Sequence, residues 1–475
     1  MGITSLNKIF NNEKYIFLLL SLIFGIVFIF VKPVFEGWDE SAHYYKAAQL
    51  AKLNITPQKF NNQVGYFFSP AEVLSVDQSS GRAIDENGNI FISLANTGVY
   101  PPVSYIPAAV TIWAANLLKL SPLKIVPVIR LINLFAWIFI IYTAISITPV
   151  YKKTMLIVAL MPLSLLLASI ISADTICNAF AFLFTALILK YAYTDTVQLV
   201  PKNIFILFIT AILLVMTKGY FFLLLLFLLI PVKKFISQKF YAGSLFLVIF
   251  LPLIIILLWT YSNINYVVPL REGVDQAAQF KDILKNPLIF LSYLPEQLYR
   301  TIFMPLIEID IVNNAVSGML MNNHDYIKYI ISSLISGKIT ILDALKNWSF
   351  MEKAISLLTF GFYFVFMLVI SLSEGKKEIN ISIKNKLILL FIYLATFIYV
   401  SFGIYLNWTP YGAKEIIGIQ SRYFIPILPI TLLFFYNNKV KIKLSDDKLN
   451  MLIMIFLFTT LITSVSALYI RYYVI

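Results

Sequence analysis

The sequence predicts an all-α, polytopic transmembrane protein with about 11 spans and two large loops on one side of the membrane. Of its 475 residues, 60% are hydrophobic and only 13% are charged. A soluble chain of this length cannot bury so much apolar surface in one core, whereas lipid solvates apolar side chains directly. Composition and the long apolar runs therefore both favour an integral membrane protein.

Eleven apolar runs are predicted to span the membrane, which takes about 20 residues, or fewer where a helix is buried among others. The charge and the glycine at Lys218-Gly219 predict a turn within the short hairpin 203–231. We interpret the apolar segment 103–120 as a helix that lies along the outer interface or dips partway into the membrane. The predicted spans are 15–32, 129–148, 154–172, 174–192, 203–217, 219–231, 240–261, 351–372, 386–405, 422–437 and 450–471.

The distribution of charge orients these spans. With the N-terminus in the cytoplasm, the inner segments hold 17 of the 37 basic residues but only six of the 24 acidic ones, which accounts for +11 of the net charge of +13. This is the asymmetry of the positive-inside rule. The basic charge is therefore a topology signal, and we reject nucleic acid as a partner.

The single cysteine, Cys177, excludes a disulfide within the chain. The predicted organisation has five parts. The parts are 1–32, the cytoplasmic N-terminus and first span; 33–128, the first extracytoplasmic loop with juxtamembrane helices; 129–261, the transmembrane core; 262–350, the second extracytoplasmic loop; and 351–475, the C-terminal transmembrane helices.

A polar segment beginning at Asp39 follows directly on the first span. Asp39 and His43 are four residues apart and share one helix face, while Glu40 points about 100° away. Asp39 is either a helix N-cap or a general base at the membrane edge, where acidic residues are costly and tend to be functional. The pattern alone leaves both interpretations open.

Several motifs, in order along the chain, resemble those of the DUF2142 family of bacterial membrane proteins. The segment from Asp39 to Ala47 resembles that family's Asp-Glu-Pro-Ala-His-Phe-Tyr-Arg-Ala signature, and 418–426 resembles its Gly-x-Gln-Gly-Arg-Tyr-Phe-x-Pro. The resemblance runs from about residue 33 to 430. Further matching elements are Asn96 to Pro102 with Tyr105, Arg130 to Asn133, Leu160-Met161-Pro162, Ser172-Ala173-Asp174 and Lys218-Gly219-Tyr220.

Three positions depart from the family pattern. Ser41 and Gly219 stand where proline is usual, and Ser421 stands where glycine is usual. These departures bear on local backbone shape more than on chemistry.

The family in turn resembles the GT-C class of glycosyltransferases, which are multi-span enzymes that use lipid-phosphate-linked sugars. That likeness implies that Asp39 is the catalytic acid of the first outer loop, with Glu40 beside it. It implies an inverting glycosyltransferase in the bacterial cell membrane, with its active site on the extracytoplasmic face. The expected partners are a polyprenyl-phosphate sugar donor, a cell-surface glycan or lipid-linked glycan acceptor, and membrane lipids.

The other matching polar residues fall at outer span ends, where they can line one cavity. Cations there would stabilise the charge that a leaving phosphate gains, arginine as a bidentate fork and lysine as a point charge. Snorkelling to headgroups is the alternative for each cation. The predicted donor-binding residues are Arg422, Lys218, Arg130 and Tyr423, with Arg300 a further candidate by location.

Five more residues are predicted to bind or orient substrate. Helix capping is an alternative role for the aspartate among them, and interfacial anchoring is one for the tyrosines. A divalent cation is possible but not favoured, because too few ligands converge, and no other cofactor is expected. The five are His43, Asp174, Tyr100, Tyr105 and Gln420.

Two other functions compete with glycosyl transfer. A transporter or flippase of lipid-linked glycans needs charged groups along a path through the midplane, whereas the charges here concentrate at the outer span ends. A polymerase of lipid-linked glycans shares the outer-face chemistry, and product length distinguishes it from a transferase that adds one sugar.

Overall fold

The fold comes from a computed structural model, which describes residues 12–73, 83–195, 197–303 and 348–474. Side chains are described except at 299–303 and 348–360, so the side chain of the candidate Arg300 and residues 304–347 of the second predicted loop lie outside the described part of the chain. The helices are α1 (Glu13–Val31), α2 (Glu40–Ala51), α3 (Ile106–Leu117), α4 (Pro122–Ile147), α5 (Lys152–Ala159), α6 (Pro162–Ala168), α7 (Ala173–Tyr193), α8 (Pro201–Lys218), α9 (Gln238–Leu245), α10 (Leu251–Asn263), α11 (Gln276–Lys285), α12 (Pro287–Phe303), α13 (Trp348–Ser373), α14 (Ile383–Trp408), α15 (Leu428–Phe434) and α16 (Asp446–Tyr473).

Seven helical segments in the described ranges are long and apolar enough to cross a membrane. They are α1, α4, α7, α8, the continuous segment Gln238–Tyr266 that contains α9 and α10, α14 and α16. Each coincides with a predicted span. The helical membrane fold is therefore confirmed, while the number of spans stays a prediction.

Of the other predicted spans, 351–372 lies within α13, whereas three fold as shorter or interrupted helices: 154–172, 219–231 and 422–437. The run 154–172 divides into α5 and α6, because Pro162 has no N–H to continue the first helix. The run 219–231 becomes a 3₁₀ helix, Phe221–Leu229. Gly219 takes a left-handed conformation with φ of 76° and ends α8 where the sequence predicts a turn.

A three-stranded antiparallel sheet lies in the first loop, for which juxtamembrane helices were predicted and no sheet was. Strands β1 (Gln58–Phe60), β2 (Gln63–Phe68) and β3 (Ile90–Ser93) lie in that order. A tight turn joins β1 to β2 with Asn61 and Asn62 both at positive φ, which asparagine tolerates. One face of the sheet packs on α2, where the rings of Tyr45 and Phe68 lie 5.3 Å apart.

Helix α3 has the character expected of an interfacial helix. Its 12 residues extend about 18 Å, which is too short to cross the hydrocarbon core. Its inner face packs on α2 and α4. An apolar stripe at helical spacing stays exposed, formed by Ile106, Val110, Trp113 and Leu117.

Helix α7 forms the centre of the bundle, and its packing positions the polar residues. It is buried along nearly its whole length against α4, α6 and α8. The start of α7, the end of α8 and the beginning of α2 lie together at one end of the bundle, joined by hydrogen bonds described below. We call this end the site end.

Candidate functional site

Asp39 presents a half-exposed carboxylate at the site end. Its φ of 54° is left-handed, and its side chain makes no capping hydrogen bond to α2. Instead Oδ1 accepts a hydrogen bond from Asn96 Nδ2 at 3.0 Å, and Oδ2 pairs with Arg422 Nη2 at 3.1 Å. With 44% of the side chain exposed, the carboxylate is fixed in direction and open to solutes. A non-glycine residue in this conformation is typical of functional sites.

Arg422 is the buried partner of Asp39, and two of its nitrogen atoms can still donate hydrogen bonds to a ligand. Its side chain is only 4% exposed. Its Nε and Nη1 atoms are buried and have no hydrogen-bond partner within the described part of the chain. Its guanidinium lies 5.7 Å from the ring centre of Trp38 and 5.5 Å from that of Tyr423. Because Asp39 engages only Nη2, one edge of the planar fork remains available to an anion.

Lys218 forms a second cationic position beside the first. Its Nζ donates to Asp174 Oδ1 at 2.7 Å, and both side chains are buried. The same Nζ lies 5.2 Å from the ring centre of Tyr100 and 5.3 Å from that of Tyr423. Both Lys218 and Arg422 therefore lie close to the ring of Tyr423. Asp174 orients Lys218, while Ser172 caps α7 by accepting from the Asp174 backbone N–H.

Arg130 has a structural role that the sequence analysis did not assign to it. All five of its N–H groups are engaged: two bond the carboxylate of Glu40 at 2.7 and 2.6 Å. The other three reach the backbone carbonyl oxygens of Ile29, Lys32 and Pro33. No N–H remains for a phosphate, so Arg130 drops out of the set of donor-binding residues that we propose.

Glu40 is likewise a structural residue, and it is fully buried. Besides Arg130, its carboxylate accepts hydrogen bonds from the backbone N–H groups of Ile171 at 2.9 Å and Gly37 at 3.3 Å. The Glu40–Arg130 pair thus ties together the end of α1, the turn into α2 and the link before α7. This pair holds the turn that presents Asp39, and Glu40 is no longer among our candidate catalytic residues.

His43 lies deeper than Asp39 and contacts aromatic side chains. Its Nδ1 is hydrogen-bonded to the hydroxyl of Tyr105 at 2.8 Å, and its ring stacks on Tyr100. Burial, followed by the charge of Lys218, lowers the pKa of His43 to about 3. His43 is therefore neutral at physiological pH, and Tyr105 is too buried to stack on a sugar.

Contacts from distant helices fix the segments that carry these residues. The indole N–H of Trp259 donates to the carbonyl of Val99, which holds the loop before Tyr100. The Tyr220 hydroxyl donates to the carbonyl of Tyr423 at 2.7 Å. Gly418 has φ of 98°, and a Cβ there would collide with the ring of Trp408. Glycine is therefore required just before Gln420 and Arg422.

Two residues of the site were missed as functional candidates. Asn96 holds Asp39, and Trp38 packs against Arg422. Both stand in or beside motifs named in the sequence analysis, since Asn96 begins the Tyr-Pro-Pro element and Trp38 directly precedes Asp39. Among the described residues, no three His, Cys, Asp or Glu side chains gather as metal ligands.

These features define a polytopic α-helical membrane protein with one cluster of acidic, cationic and aromatic side chains at one end of its bundle. The chain belongs to the family described as "Predicted membrane protein (DUF2142)", whose model matches residues 22–304 and 350–431. No curated protein and no solved structure matches the chain.

The Glu40–Arg130 pair predicts strong, non-additive destabilisation on mutation. Glu40→Gln or Arg130→Met alone leaves a buried charge unpaired, which costs about 3–5 kcal/mol. In the Glu40→Gln/Arg130→Met double variant no such charge remains, so we expect it to lose clearly less than the sum of the single losses. Thermal unfolding of all four proteins in one detergent measures this. Additive losses would contradict the structural role of the pair.

The lowered pKa of His43 predicts stability that falls in acid. The unfolded chain protonates this histidine below about pH 6.5 while the folded protein does not until about pH 3. The contribution is therefore complete above pH 6.5 and is lost as the pH falls, by about 2 kcal/mol at pH 5. Unfolding midpoints at pH 7.5 and 5 should fall further for the wild type than for His43→Gln. Parallel losses would show that His43 does not titrate this way.

Proposed function

We propose that the protein is an integral membrane glycosyltransferase that takes a sugar from a polyprenyl-phosphate donor and adds it to a cell-surface glycan. The observation that carries this proposal is the pairing of the open carboxylate of Asp39 with Arg422, whose buried Nε and Nη1 have no hydrogen-bond partner among the described residues. A base beside an incompletely used cation suits a reaction that removes a proton and releases a phosphate.

The unused polar atoms favour a ligand that has both anionic and hydroxyl groups. Arg422 offers buried donors, which require an acceptor such as a phosphate oxygen. Gln420 Oε1, two residues earlier, is a buried acceptor with no partner in the described residues, and it requires a donor such as a sugar hydroxyl. Buried polar groups are costly unless paired. A sugar phosphate satisfies both requirements at once.

The proposed reaction is a single displacement at the anomeric carbon. The acceptor hydroxyl oxygen bonds to this carbon as its bond to the phosphate oxygen breaks, and Asp39 takes the hydroxyl proton. The bonding electron pair leaves with the polyprenyl phosphate, whose added negative charge is stabilised by Arg422 and Lys218. Attack opposite the leaving group inverts the configuration of the sugar. Asn96 positions Asp39 and is not itself a reacting group.

The charge distribution supports an extracytoplasmic site in this proposal. The site end carries the start of α7 and the first loop, and the basic excess lies on the connections at the other end. Lipid-linked donors are used where the sugar has already crossed the membrane. We therefore propose a bacterial cell-membrane enzyme with a cytoplasmic N-terminus.

Asp39→Asn should eliminate transfer while the protein still folds and inserts. The amide keeps the shape of the carboxylate but cannot take the proton, and loss of a general base costs 100-fold or more in rate. The assay supplies membranes with radiolabelled polyprenyl-phosphate hexoses and follows label entering glycan.

The matched control for Asp39→Asn is Asp85→Asn, which changes a carboxylate of the first loop that bonds only its own turn. Full transfer by the control and none by Asp39→Asn is the expected result. Equal transfer by Asp39→Asn and the wild type would remove Asp39 from the mechanism. Movement of lipid-linked glycan across liposomes without any transfer would instead favour a flippase.

Arg422 should dominate binding of the donor phosphate. We expect Arg422→Gln to weaken binding of undecaprenyl phosphate by roughly 10- to 100-fold, because it removes charge-assisted hydrogen bonds. Arg422→Lys should fall between, since it keeps the charge but loses the planar fork. Titration of the purified protein measures this.

The control for Arg422 is Lys124→Gln, which removes an exposed charge at the start of α4. It should bind undecaprenyl phosphate like the wild type, because screened surface charges contribute little. If Arg422→Gln and Lys124→Gln weaken binding equally, the effect is general electrostatics and the assignment of Arg422 fails.

A further inference from the structure

An apolar groove begins where the cationic site ends. It encloses a cavity of about 370 Å³. It runs between the C-terminal half of α13, the N-terminal half of α14 and the segment Ser421–Phe434. At the site end it is lined by Phe424 and Ile425, which follow Arg422 closely in the chain. At the far end it is lined by Leu372 and Phe435.

The groove is apolar along its length and long enough for a lipid chain. Its lining residues are all apolar or aromatic except Thr431. The Thr431 hydroxyl donates to the carbonyl of Ile427. From Phe424 to Phe435 the 3₁₀ and α-helical rises amount to about 18 Å. This exceeds half of the roughly 30 Å hydrocarbon thickness of a bilayer.

The backbone geometry relates the groove to the cation. Residues Ser421–Ile427 form a 3₁₀ helix, in which side chains three residues apart lie on the same face. Arg422 and Ile425 therefore share one face, with the arginine toward the site end. An amphiphile whose phosphate meets Arg422 would direct its hydrophobic tail toward the mouth of this groove.

We propose that this groove binds the isoprenoid chain of the lipid-linked donor, an inference that rests on the proposed function of the adjoining site. The cationic end selects an anionic head group, and the apolar channel that continues from it selects a long hydrocarbon tail. The two parts together recognise a polyprenyl phosphate as a whole. Each isoprene unit buried in the groove adds binding free energy in proportion to its apolar area.

The test crosses groove-filling variants with probes of different chain length. Leu428→Trp and Leu368→Trp place bulk in the groove from two of its walls. We expect each to weaken binding of undecaprenyl phosphate tenfold or more, while binding of geranyl phosphate changes less than twofold. Arg422→Gln should weaken binding of both probes, because both carry the head group.

Val369→Trp is the matched control, since Val369 neighbours Leu368 on α13 but lines a different, lipid-facing crevice. It should bind both probes like the wild type, which also excludes a general effect of tryptophan on folding. Equal loss of both probes in Leu428→Trp and Leu368→Trp, or loss of neither, would overturn the proposal.

Two further outcomes separate this inference from its alternatives. If the groove variants release bound phosphatidylglycerol in native mass spectrometry but keep their affinity for undecaprenyl phosphate, the groove holds ordinary acyl chains and the proposal is wrong. All binding is repeated in Asp39→Asn, which should keep the dependence on chain length. If the wild type binds with this dependence but transfers no sugar, the groove proposal stands and the transferase proposal fails.

Discussion

The buried pair of Glu40 and Arg130 is the interaction on which the arrangement of the site depends. Both side chains have their hydrogen-bonding groups engaged, and their partners belong to the end of α1, the turn before α2 and the link before α7. A buried ion pair is tolerable only when it is satisfied in this way. Its consequence is geometric, because the fixed turn leaves Asp39 left-handed, uncapped and directed at Arg422.

The charged residues of the site are of two kinds: those whose polar groups are all engaged within the protein, and those with polar groups left for a ligand. Arg130 has no N–H to spare, whereas Arg422 keeps two nitrogen atoms without partners in the described residues. Glu40 is fully buried, whereas nearly half of Asp39 is exposed. The sequence alone does not assign Arg130 and Glu40 to a structural role, because both arginines lie at span ends within matching motifs and the two acids are adjacent. Whether all N–H groups of an arginine are engaged depends on backbone carbonyls from other segments of the chain, which no local sequence pattern predicts.

Hydropathy and charge sufficed for the parts of the fold that depend on local composition. Apolar runs located the seven long helices, and the glycine after Lys218 located a turn that the structure confirms. The sheet was missed because its strands are short, β1 buries no residue, and burial along β2 does not alternate. The pair Asn61-Asn62, which suits a tight turn, was the available signal for that hairpin. Asn96 could be placed beside Asp39 only by a tertiary contact across 57 residues.

The central claim is that Asp39 and Arg422 together form a site for a lipid-borne phosphate. An experimental structure of the protein in nanodiscs with undecaprenyl phosphate tests it most directly. We expect the phosphate within hydrogen-bonding distance of the guanidinium of Arg422, next to the open side of the Asp39 carboxylate. A phosphate bound elsewhere, with Asp39 and Arg422 unchanged and untouched, would contradict it.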